Sequence, residues 1–373
     1  MKLKKVLVVG AGFAGAVIAR VLAESGQYAI TIIDKRNHIG GNTYDPVCPR
    51  TGQRYHQYGP HLFHTNNRQV LEFASRFTDW VPYKHKVNAY VEGIGQVPMP
   101  INLDTLNKFY SKNLKSADDV KMFLSSVRAP IENPGNAQEY LQNIYGVELT
   151  ELFFARYSKK MWDLELEEIS SAVVRRLPIR YDANPYYFND KYQVMPRHGY
   201  LRLFENLLRH PVIEVQISQA FDRRMEKDFH HVFNSMPIDE YFDYEFGDLP
   251  YRSIIFDDST NPSFEPEVPI VNFTDRSKFT RVTKWALIPG LGSGKLQKFT
   301  YETPCSYKEN GLERYYPLNT VDKTPQKTYR KYKEFAKKSC NKTTFIGRCG
   351  QYIYYNMDQV IANSLAISKN FLG

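Results

Sequence analysis

The first 34 residues alternate between short apolar runs and a stretch with helical spacing. Residues 4–10, KKVLVVG, form a β-branched run that ends at glycine, and residues 28–34, YAITIID, show a second strand pattern. Between them, FAGAVIARVLAESG (residues 13–26) repeats apolar residues three and four positions apart, as the buried face of a helix requires. The order strand, helix, strand predicts a βαβ unit that opens a parallel sheet.

The pattern changes twice further along the chain. Residues 100–175 combine helix-capping residues with helical apolar periods and predict a helical insertion. Residues 245–318 alternate β-branched and aromatic residues with Pro, Gly and Asn turns, which favours antiparallel strands. The chain then ends with a strand pattern, TTFIGR, and an amphipathic helix, NMDQVIANSLAISKNFL, so we expect the C-terminal segment to complete the first domain.

A glycine fingerprint stands between the first strand and the first helix. Gly10, Gly12 and Gly15 have the spacing GxGxxG around Phe13 and Ala14, and Asp34 ends the second strand. The glycines permit a tight turn and close approach of a pyrophosphate, the helix N-terminus offers free N–H groups, and the carboxylate accepts from ribose hydroxyls. The strand, helix and acidic residue all stand where a bound dinucleotide needs them.

A second pair of glycines favours a flavin over a nicotinamide cofactor. Gly40 and Gly41 follow Asp34 closely and allow another close backbone approach, a habit of FAD-binding folds. We therefore predict an α/β protein with a discontinuous Rossmann-like FAD-binding domain, a helical-bundle insertion and an antiparallel β-sheet domain. The predicted boundaries are 1–80, 199–245 and 340–373 for the FAD-binding domain, 101–175 for the helical domain, and 81–100, 176–198 and 246–339 for the sheet domain.

Composition and charge exclude several classes of protein. The 373 residues contain no apolar run near the roughly 18 residues of a membrane span and no leader-like segment. The four cysteines (Cys48, Cys305, Cys340, Cys349) are scattered without a CxxC, so we expect a cytoplasmic protein without disulfides. The net charge of +9 is dispersed apart from residues 327–338, which we interpret as the polar face of a helix; a nucleic-acid-binding module is the disfavoured alternative.

Three histidines fall within RYHQYGPHLFHT, residues 54–65. His61 and His64 are three apart, but Gly59-Pro60 argues against a helix, and no cysteine or carboxylate accompanies them at a zinc-like spacing. We therefore predict no metal site. The histidines are either hydrogen-bonded core residues or part of a ligand pocket.

The whole chain resembles the UDP-galactopyranose mutase family in a series of ordered segments. They are GAGFAGAVIA, KRNHIGGN, YGPHLFHT, FFARYSKKMW, RRLPIRY, YYFNDKYQVMP, PIDEYFDYEFG, VNFTD, FTR, RYYPLN and IGRCGQYIYYNMDQVI. The resemblance implies FAD that is active when reduced, a UDP-sugar substrate, an NAD(P)H-linked or other reductant, and a homodimer. The implied reaction is the redox-neutral interconversion of UDP-galactopyranose and UDP-galactofuranose through an adduct of the sugar with the flavin N5.

The resemblance also assigns roles to residues. His61, Arg176 and Arg281 are implied as catalytic, with His61 against the isoalloxazine and the two arginines on the diphosphate; a guanidinium suits that task because its planar fork holds two oxygens and stays charged. The implied FAD-binding residues are Gly10, Gly12, Phe13, Ala14, Gly15, Asp34, Lys35, Gly41, Asn42, His61, Leu62, Arg348, Tyr355, Asn356, Met357 and Gln359. The implied substrate-binding residues are His85, Phe153, Phe154, Tyr157, Trp162, Arg176, Tyr187, Asn272, Arg281, Tyr316 and Tyr354.

The sugar and the reaction class have alternatives. Asn356 stands where many relatives have Asp, and Met236 at a position often held by glycine, so a sister mutase acting on dTDP-fucose or UDP-N-acetylgalactosamine stays open. An amine-oxidase-like flavoprotein is a second alternative, and it would need no diphosphate clamp. Without the resemblance, the aromatic cluster at 153–162 would be interpreted as core and the arginines near 176 as a solvated loop.

Overall fold

The architecture is that of a computed structural model that describes residues 3–175, 177–292 and 296–373. Its strands are β1 (Lys4–Val9), β2 (Tyr28–Asp34), β3 (Phe63–Thr65), β4 (Trp80–Pro82), β5 (Val87–Val91), β6 (Gly95–Met99), β7 (Tyr192–Pro196), β8 (Ile213–Ile217), β9 (His231–Asn234), β10 (Tyr251–Ser259), β11 (Ile270–Phe273), β12 (Arg281–Lys284), β13 (Phe299–Ser306), β14 (Tyr316–Pro317) and β15 (Thr343–Phe345). Its α-helices are α1 (Phe13–Glu24), α2 (Arg68–Ser75), α3 (Leu103–Tyr110), α4 (Ala117–Val127), α5 (Ala137–Thr150), α6 (Arg156–Trp162), α7 (Ser171–Val174), α8 (Gly199–Leu208), α9 (Ile238–Tyr241), α10 (Thr324–Ser339), α11 (Gly347–Gly350) and α12 (Met357–Leu372).

A parallel sheet with the strand order β15-β9-β1-β2-β8 carries the predicted βαβ unit. Successive side chains of β1 point to opposite faces. Val6 and Val8 pack toward α1 and α12, whereas Leu7 and Val9 pack with Val232 on the other face. Full burial of such a side chain stabilises the fold by roughly 1.5–3 kcal/mol. The Rossmann-like α/β class predicted from the sequence is confirmed.

The helical insertion shares an apolar core with strands β5, β6 and β11. Asn102, Ser116 and Asn136 cap α3, α4 and α5, each accepting a hydrogen bond from a backbone N–H in the first turn. The side chains of Leu106, Val120, Leu124, Leu141 and Leu149 are buried together between these helices. A π-helical turn, Glu151–Ala155, then connects α5 to α6.

The second large sheet has the strand order β14-β10-β13-β12-β11-β5-β6. Its pairings are antiparallel except that β5 runs parallel to β11, so the sheet is mixed rather than antiparallel as the sequence predicted. A tight turn imposes antiparallel pairing only on the two consecutive strands that it joins. Because the helical insertion and several strands lie between β5 and β11 in the chain, no tight turn constrains their relative direction. The expectation of a purely antiparallel sheet was wrong at this one pairing.

A short antiparallel sheet, β3-β7-β4, lies beside the segment that holds the histidines. The backbone of Gly59 in that segment contacts the mixed sheet, since a Cβ there would lie 3.1 Å from the Phe256 ring and 3.2 Å from Glu302 Oε1. The histidine segment therefore lies where the mixed sheet meets the parallel-sheet domain. Among the described helices, none has the length and apolarity that a transmembrane segment needs.

Candidate active site

A cavity of about 330 Å³ opens at the carboxyl ends of the parallel strands. Ligands bind at this edge in open α/β sheets because the loops that follow the strands diverge there. Each of the five strands ends beside this cavity. The residues that follow the strands and line it include Gly10, Lys35, Gln219, Ser235 and Gly347.

The glycines of the fingerprint bring backbone segments into direct contact. Gly10 has a φ of +102°, and a Cβ there would lie 2.0 Å from Ser235 Oγ. A Cβ on Gly15 would lie 2.0 Å from the Gly10 carbonyl oxygen, whereas Gly12 faces Gly41 across the cavity wall, with 3.5 Å from its ideal Cβ to the Gly41 Cα. Gly10 and Gly15 are thus required by the fold. Gly12 and Gly41 pack against each other, since a Cβ on Gly41 would lie 2.9 Å from the Gly12 Cα, and both line the cavity.

Asp34 is held at the end of β2 by backbone donors. Its Oδ2 accepts from the Ala11 N–H at 2.8 Å and its Oδ1 from the Arg36 N–H at 2.9 Å. Each carboxylate oxygen has a second lone pair, so the fixed carboxylate can also accept from a ligand hydroxyl.

The opposite wall contains Arg348 and the start of α12. The Arg348 guanidinium donates to the carbonyls of Tyr315 (2.8 Å) and Tyr355 (2.7 Å), which fixes it at the cavity wall. Gln359 Oε1 accepts from the Asn356 N–H at 2.9 Å, so these two residues cap the helix, while Met357 lines the cavity. The positive end of the helix dipole therefore lies at the cavity.

His61 lies in the cavity lining as a neutral imidazole. Its Nδ1 is 2.8 Å from the Gly59 carbonyl, and a carbonyl can only accept, so Nδ1 carries the proton and Nε2 is an acceptor. Burial, opposed by the hydrogen bond to Gly59 and reinforced by the Arg348 and Arg281 cations, lowers the pKa of His61 to about 4. His61 thus presents an uncharged acceptor between two guanidinium groups.

Arg281 sits in a row of polar residues across the mixed sheet. It pairs in register with Asn272 on β11 and with Glu302 on β13, and its Nε lies 3.4 Å from Glu302 Oε2. Its Nη2 donates to the Tyr157 hydroxyl at 3.1 Å. Burial opposes its charge, but Glu302, Tyr157 and Tyr316 raise the pKa of the guanidinium well above its ordinary value. Arg281 is therefore a fixed, permanent cation.

Three aromatic rings and Arg348 form a wall next to Arg281. Tyr316 meets Tyr354 edge-on at 5.2 Å and Trp162 at 6.2 Å, and the Arg348 guanidinium lies 4.8 Å from the Tyr354 ring centroid. Such rings present flat apolar faces and hydroxyl donors, as a nucleotide sugar requires.

The structure places two other predicted substrate residues, Phe153 and Phe154, away from this wall. Phe153 and Phe154 are 2% and 5% exposed and pack in the helical core against Phe109 and Tyr145. His85 is buried beside Tyr187, with its Nδ1 2.8 Å from the Tyr83 hydroxyl. Arg176 lies outside the described residues.

The histidine segment divides between the cavity and the core. His64 is held by Asp190 at 2.9 Å and stacks on Phe188, whereas His56 is fully buried and accepts the His61 N–H at 2.8 Å. In the described part of the chain, no three His, Cys, Asp or Glu side chains lie together as a metal ion would need.

Comparison with known proteins agrees with the motifs. The family model described as UDP-galactopyranose mutase matches residues 152–354, and a model for NAD(P)-binding Rossmann-like domains matches residues 8–77. A probable UDP-galactopyranose mutase from Klebsiella pneumoniae is 36% identical over 377 residues, which cover 100% of this chain and 96% of that protein. The chain belongs to the UDP-galactopyranose mutase family. This confirms the resemblance noted in the sequence.

A family member with another named substrate is equally similar. A dTDP-fucopyranose mutase from Escherichia coli is 35% identical over 379 residues, covering 99% of each chain. A crystal structure of reduced UDP-galactopyranose mutase superposes with a TM-score of 0.76 at 17% identity, over 100% of this chain and 94% of that one, and shows the shared fold. The family places the chain among pyranose–furanose mutases of nucleotide sugars.

Within this family framework, most of the predicted cofactor residues line the cavity. They are Gly10, Gly12, Phe13, Ala14, Asp34, Lys35, Gly41, Asn42, His61, Arg348, Tyr355 and Met357. Gly15 packs beneath Gly10, Leu62 packs between two apolar clusters, and Asn356 and Gln359 cap α12.

Sequence reasoning missed one side of the cavity. Arg36 donates to Asn42 Oδ1 at 2.9 Å, pairs with Glu313, and lies 4.1 Å from the Tyr58 ring centroid. Ser235 and Met236 also line the cavity. The carboxyl-end rule for parallel strands would have indicated Ser235 and Met236 once β9 was recognised. Arg36 and Glu313 meet only through the tertiary fold.

The buried histidines make the stability of this family member depend on pH. Burial lowers the pKa of His56 well below its ordinary value and that of His85 to about 3, whereas in the unfolded chain both titrate near ~6.5. Below about pH 6.5 these two histidines bind protons in the unfolded chain but not in the folded protein. Their contribution to the free energy of unfolding is therefore fully present above that pH and is lost as the pH falls. From pH 7 to pH 5 we expect a loss of about 2 kcal/mol for each of the two histidines.

Urea unfolding of the FAD-saturated protein at pH 7 and pH 5 measures this loss. His85→Gln should remove about 2 kcal/mol of the pH-dependent difference, with His198→Gln at an exposed histidine as the matched control. The same pH dependence in His85→Gln as in the wild type would refute the assignment.

Proposed function

We propose that this protein is a flavin-dependent UDP-galactopyranose mutase, which interconverts UDP-galactopyranose and UDP-galactofuranose without net oxidation. One observation carries the proposal. His61 lines the dinucleotide cavity and bonds to the Gly59 carbonyl, and an ideal Cβ on Gly59 would lie 3.2 Å from Glu302, the ion-pair partner of Arg281. A diphosphate held by Arg281 would therefore place its sugar against the flavin end of the cavity.

The residues of the cavity fit FAD. Gly12 and Gly41 line the cavity without side chains, so a pyrophosphate can approach their backbones, and Asp34 is oriented for a ribose hydroxyl. The N-terminus of α12, where Met357 lines the cavity, and the Arg348 guanidinium supply positive electrostatic potential for the flavin ring. When bound and reduced, the flavin supplies an electron-rich nitrogen that can hold the sugar while its ring opens and recloses.

The chain's own residues bind, orient and exclude water. Arg281 holds the diphosphate, and its guanidinium is oriented by Glu302 and Tyr157. We assign the same role to Arg176. A diphosphate retained beside the sugar acts at a high effective concentration when the bond to the sugar re-forms. His61, whose pKa is lowered to about 4, stays neutral near pH 7 and offers its Nε2 as a hydrogen-bond acceptor that orients a sugar hydroxyl.

Remaining features of the proposal follow the family. Tyr157, Trp162, Tyr316 and Tyr354 contact the uridine diphosphate or sugar. We also propose a cytoplasmic homodimer, a reductant such as NAD(P)H that acts before turnover, and the three-domain division predicted from the sequence.

A mutase for dTDP-fucose is the second candidate. The observation in its favour is the 35% identity to a dTDP-fucopyranose mutase over nearly the whole chain. Both candidates share the cavity and the arginine, and they differ only in the sugar and base contacts.

The deciding experiment is anaerobic incubation with UDP-galactofuranose, with and without dithionite, followed by chromatography of the products. We expect UDP-galactopyranose from the reduced protein alone. Turnover of dTDP-fucofuranose but not of UDP-galactofuranose would favour the second candidate. In a parallel aerobic incubation, consumption of O₂ with an oxidised product, unaffected by Arg281→Ala, would indicate an amine-oxidase-like enzyme instead.

A further inference from the structure

Lys160 on α6 reaches the turn that precedes Arg281. Its Nζ donates to three backbone carbonyls, those of Phe273 (2.8 Å), Phe279 (2.7 Å) and Asp275 (3.2 Å). These carbonyls belong to the end of β11 and to the turn between β11 and β12, and Arg281 is the first residue of β12. The ammonium group is thus enclosed by the turn, with the lysine side chain only 15% exposed.

The same helix face holds Arg281 itself. Tyr157 and Lys160 are three residues apart on α6 and therefore point to the same side. The Tyr157 hydroxyl accepts a hydrogen bond from Arg281 Nη2 at 3.1 Å, and Lys160 donates to the carbonyls of the turn. Two polar side chains therefore connect α6 to the β11–β12 hairpin. The C-terminal end of α6 is fixed in turn by Arg252, which donates to the Met161 carbonyl at 2.9 Å.

We propose that Lys160 is a positioning residue that sets the place of the Arg281 guanidinium relative to Tyr157 and Trp162. Arg281 follows the turn directly, so a displaced turn moves the start of β12 and with it the diphosphate contact. This inference rests on the proposed function, in which Arg281 holds the diphosphate. Lys160 acts through Arg281 and does not touch the substrate.

The charge state of Lys160 offers a readout that simple structural support would not give. Burial lowers the pKa of Lys160 to about 8, opposed by Asp275 at 3.7 Å and reinforced by Arg156. Arg156 lies one helical turn back and is itself 3.9 Å from Glu92. Above this pH the amine is neutral, and its hydrogen bonds to the three carbonyls are weaker than those of the charged ammonium. The KM for the nucleotide sugar should therefore rise above about pH 8 in the wild type.

The test uses Lys160→Met and Lys160→Arg in the full-length, FAD-loaded protein. We expect Lys160→Met to raise the Kd for UDP and the KM for the UDP-sugar by about 10- to 100-fold, because small displacements of a binding group cost up to about that much. Flavin content and kcat should change little, and the rise in KM above pH 8 should disappear. Lys160→Arg keeps a charge at every pH and should restore a low KM that stays flat to higher pH. The matched control is Lys159→Met, which removes an exposed lysine paired with Glu165 at 3.0 Å.

A double-mutant cycle with Arg281→Ala decides whether Lys160 acts through Arg281. In the Arg281→Ala background, Lys160→Met should have no further effect on the Kd for UDP. Wild-type UDP affinity in Lys160→Met, or full additivity of the two changes, would overturn the proposal. Should Lys160→Met not fold, a pH-dependent KM in Lys160→Arg identical to that of the wild type would overturn it as well. If the wild type itself neither binds UDP nor turns over UDP-sugars, the proposed function fails and not the positioning role alone.

Discussion

Arg281→Ala should lower kcat/KM for UDP-galactopyranose by roughly 10²- to 10³-fold, because losing one partner of a buried charge pair, here Arg281 and the proposed diphosphate, costs about 2–5 kcal/mol. On the proposed function the change removes the diphosphate contact, and it also leaves Glu302, only 2% exposed, without its cation. Burial already raises the pKa of Glu302, and Arg281 is what opposes that rise. The variant should therefore also unfold more easily, which steady-state kinetics and urea unfolding measure separately.

Three further variants separate binding from stability. Arg281→Ala with Glu302→Gln removes the unpaired carboxylate, so stability should recover while kcat/KM stays low. Arg281→Lys keeps the charge but loses the planar fork, and its kcat/KM should fall between those of the wild type and Arg281→Ala. Arg276→Ala, at an exposed arginine of the preceding turn, is the control. A folded Arg281→Ala protein with wild-type kcat/KM would contradict the assigned role.

The cofactor side of the site could be predicted from sequence because its chemistry is local. The turn at Gly10, the contact of Gly15 with it and the position of Asp34 at the end of β2 all depend on backbone conformation over about 25 residues. The pattern of strand, helix and strand was therefore sufficient. The substrate side depended on the family resemblance, since nothing local distinguishes a ligand-facing tyrosine from a buried one.

The remaining contacts depend on tertiary register. Glu302 comes beside Arg281 because β12 and β13 pair with one particular alignment, and Lys160 reaches a carbonyl 113 residues away. The aromatic cluster shows the same limit. In the π-helical turn Glu151–Ala155 the 3.6-residue period does not apply, so spacing alone did not fix which way Phe153 and Phe154 point.

Gly12→Val should abolish FAD binding without unfolding the chain. A Cβ at Gly12 would lie 3.5 Å from the Gly41 Cα, an ordinary contact, and the φ of −83° suits any residue. The valine methyl groups would instead occupy cavity space beside the Gly12 backbone, where we expect the pyrophosphate to bind. Overpacking costs about 1–3 kcal/mol even where the surroundings can yield, and lost N–H contacts to phosphate add to it, so we expect at least roughly 100-fold weaker binding.

Two other glycines serve as opposite controls for Gly12→Val. Gly15→Ala places a methyl group 2.0 Å from the Gly10 carbonyl oxygen and 2.7 Å from Val8 Cγ1, so it should disrupt the first βαβ unit itself. Gly26→Ala has a φ of +69° and nothing within 4 Å, and should cost only about 1–2 kcal/mol while the protein stays yellow. Visible absorbance reports the flavin, and far-UV circular dichroism reports the fold. A yellow Gly12→Val protein with normal FAD affinity would show that the pyrophosphate does not lie against Gly12, and the fingerprint would then act in packing alone.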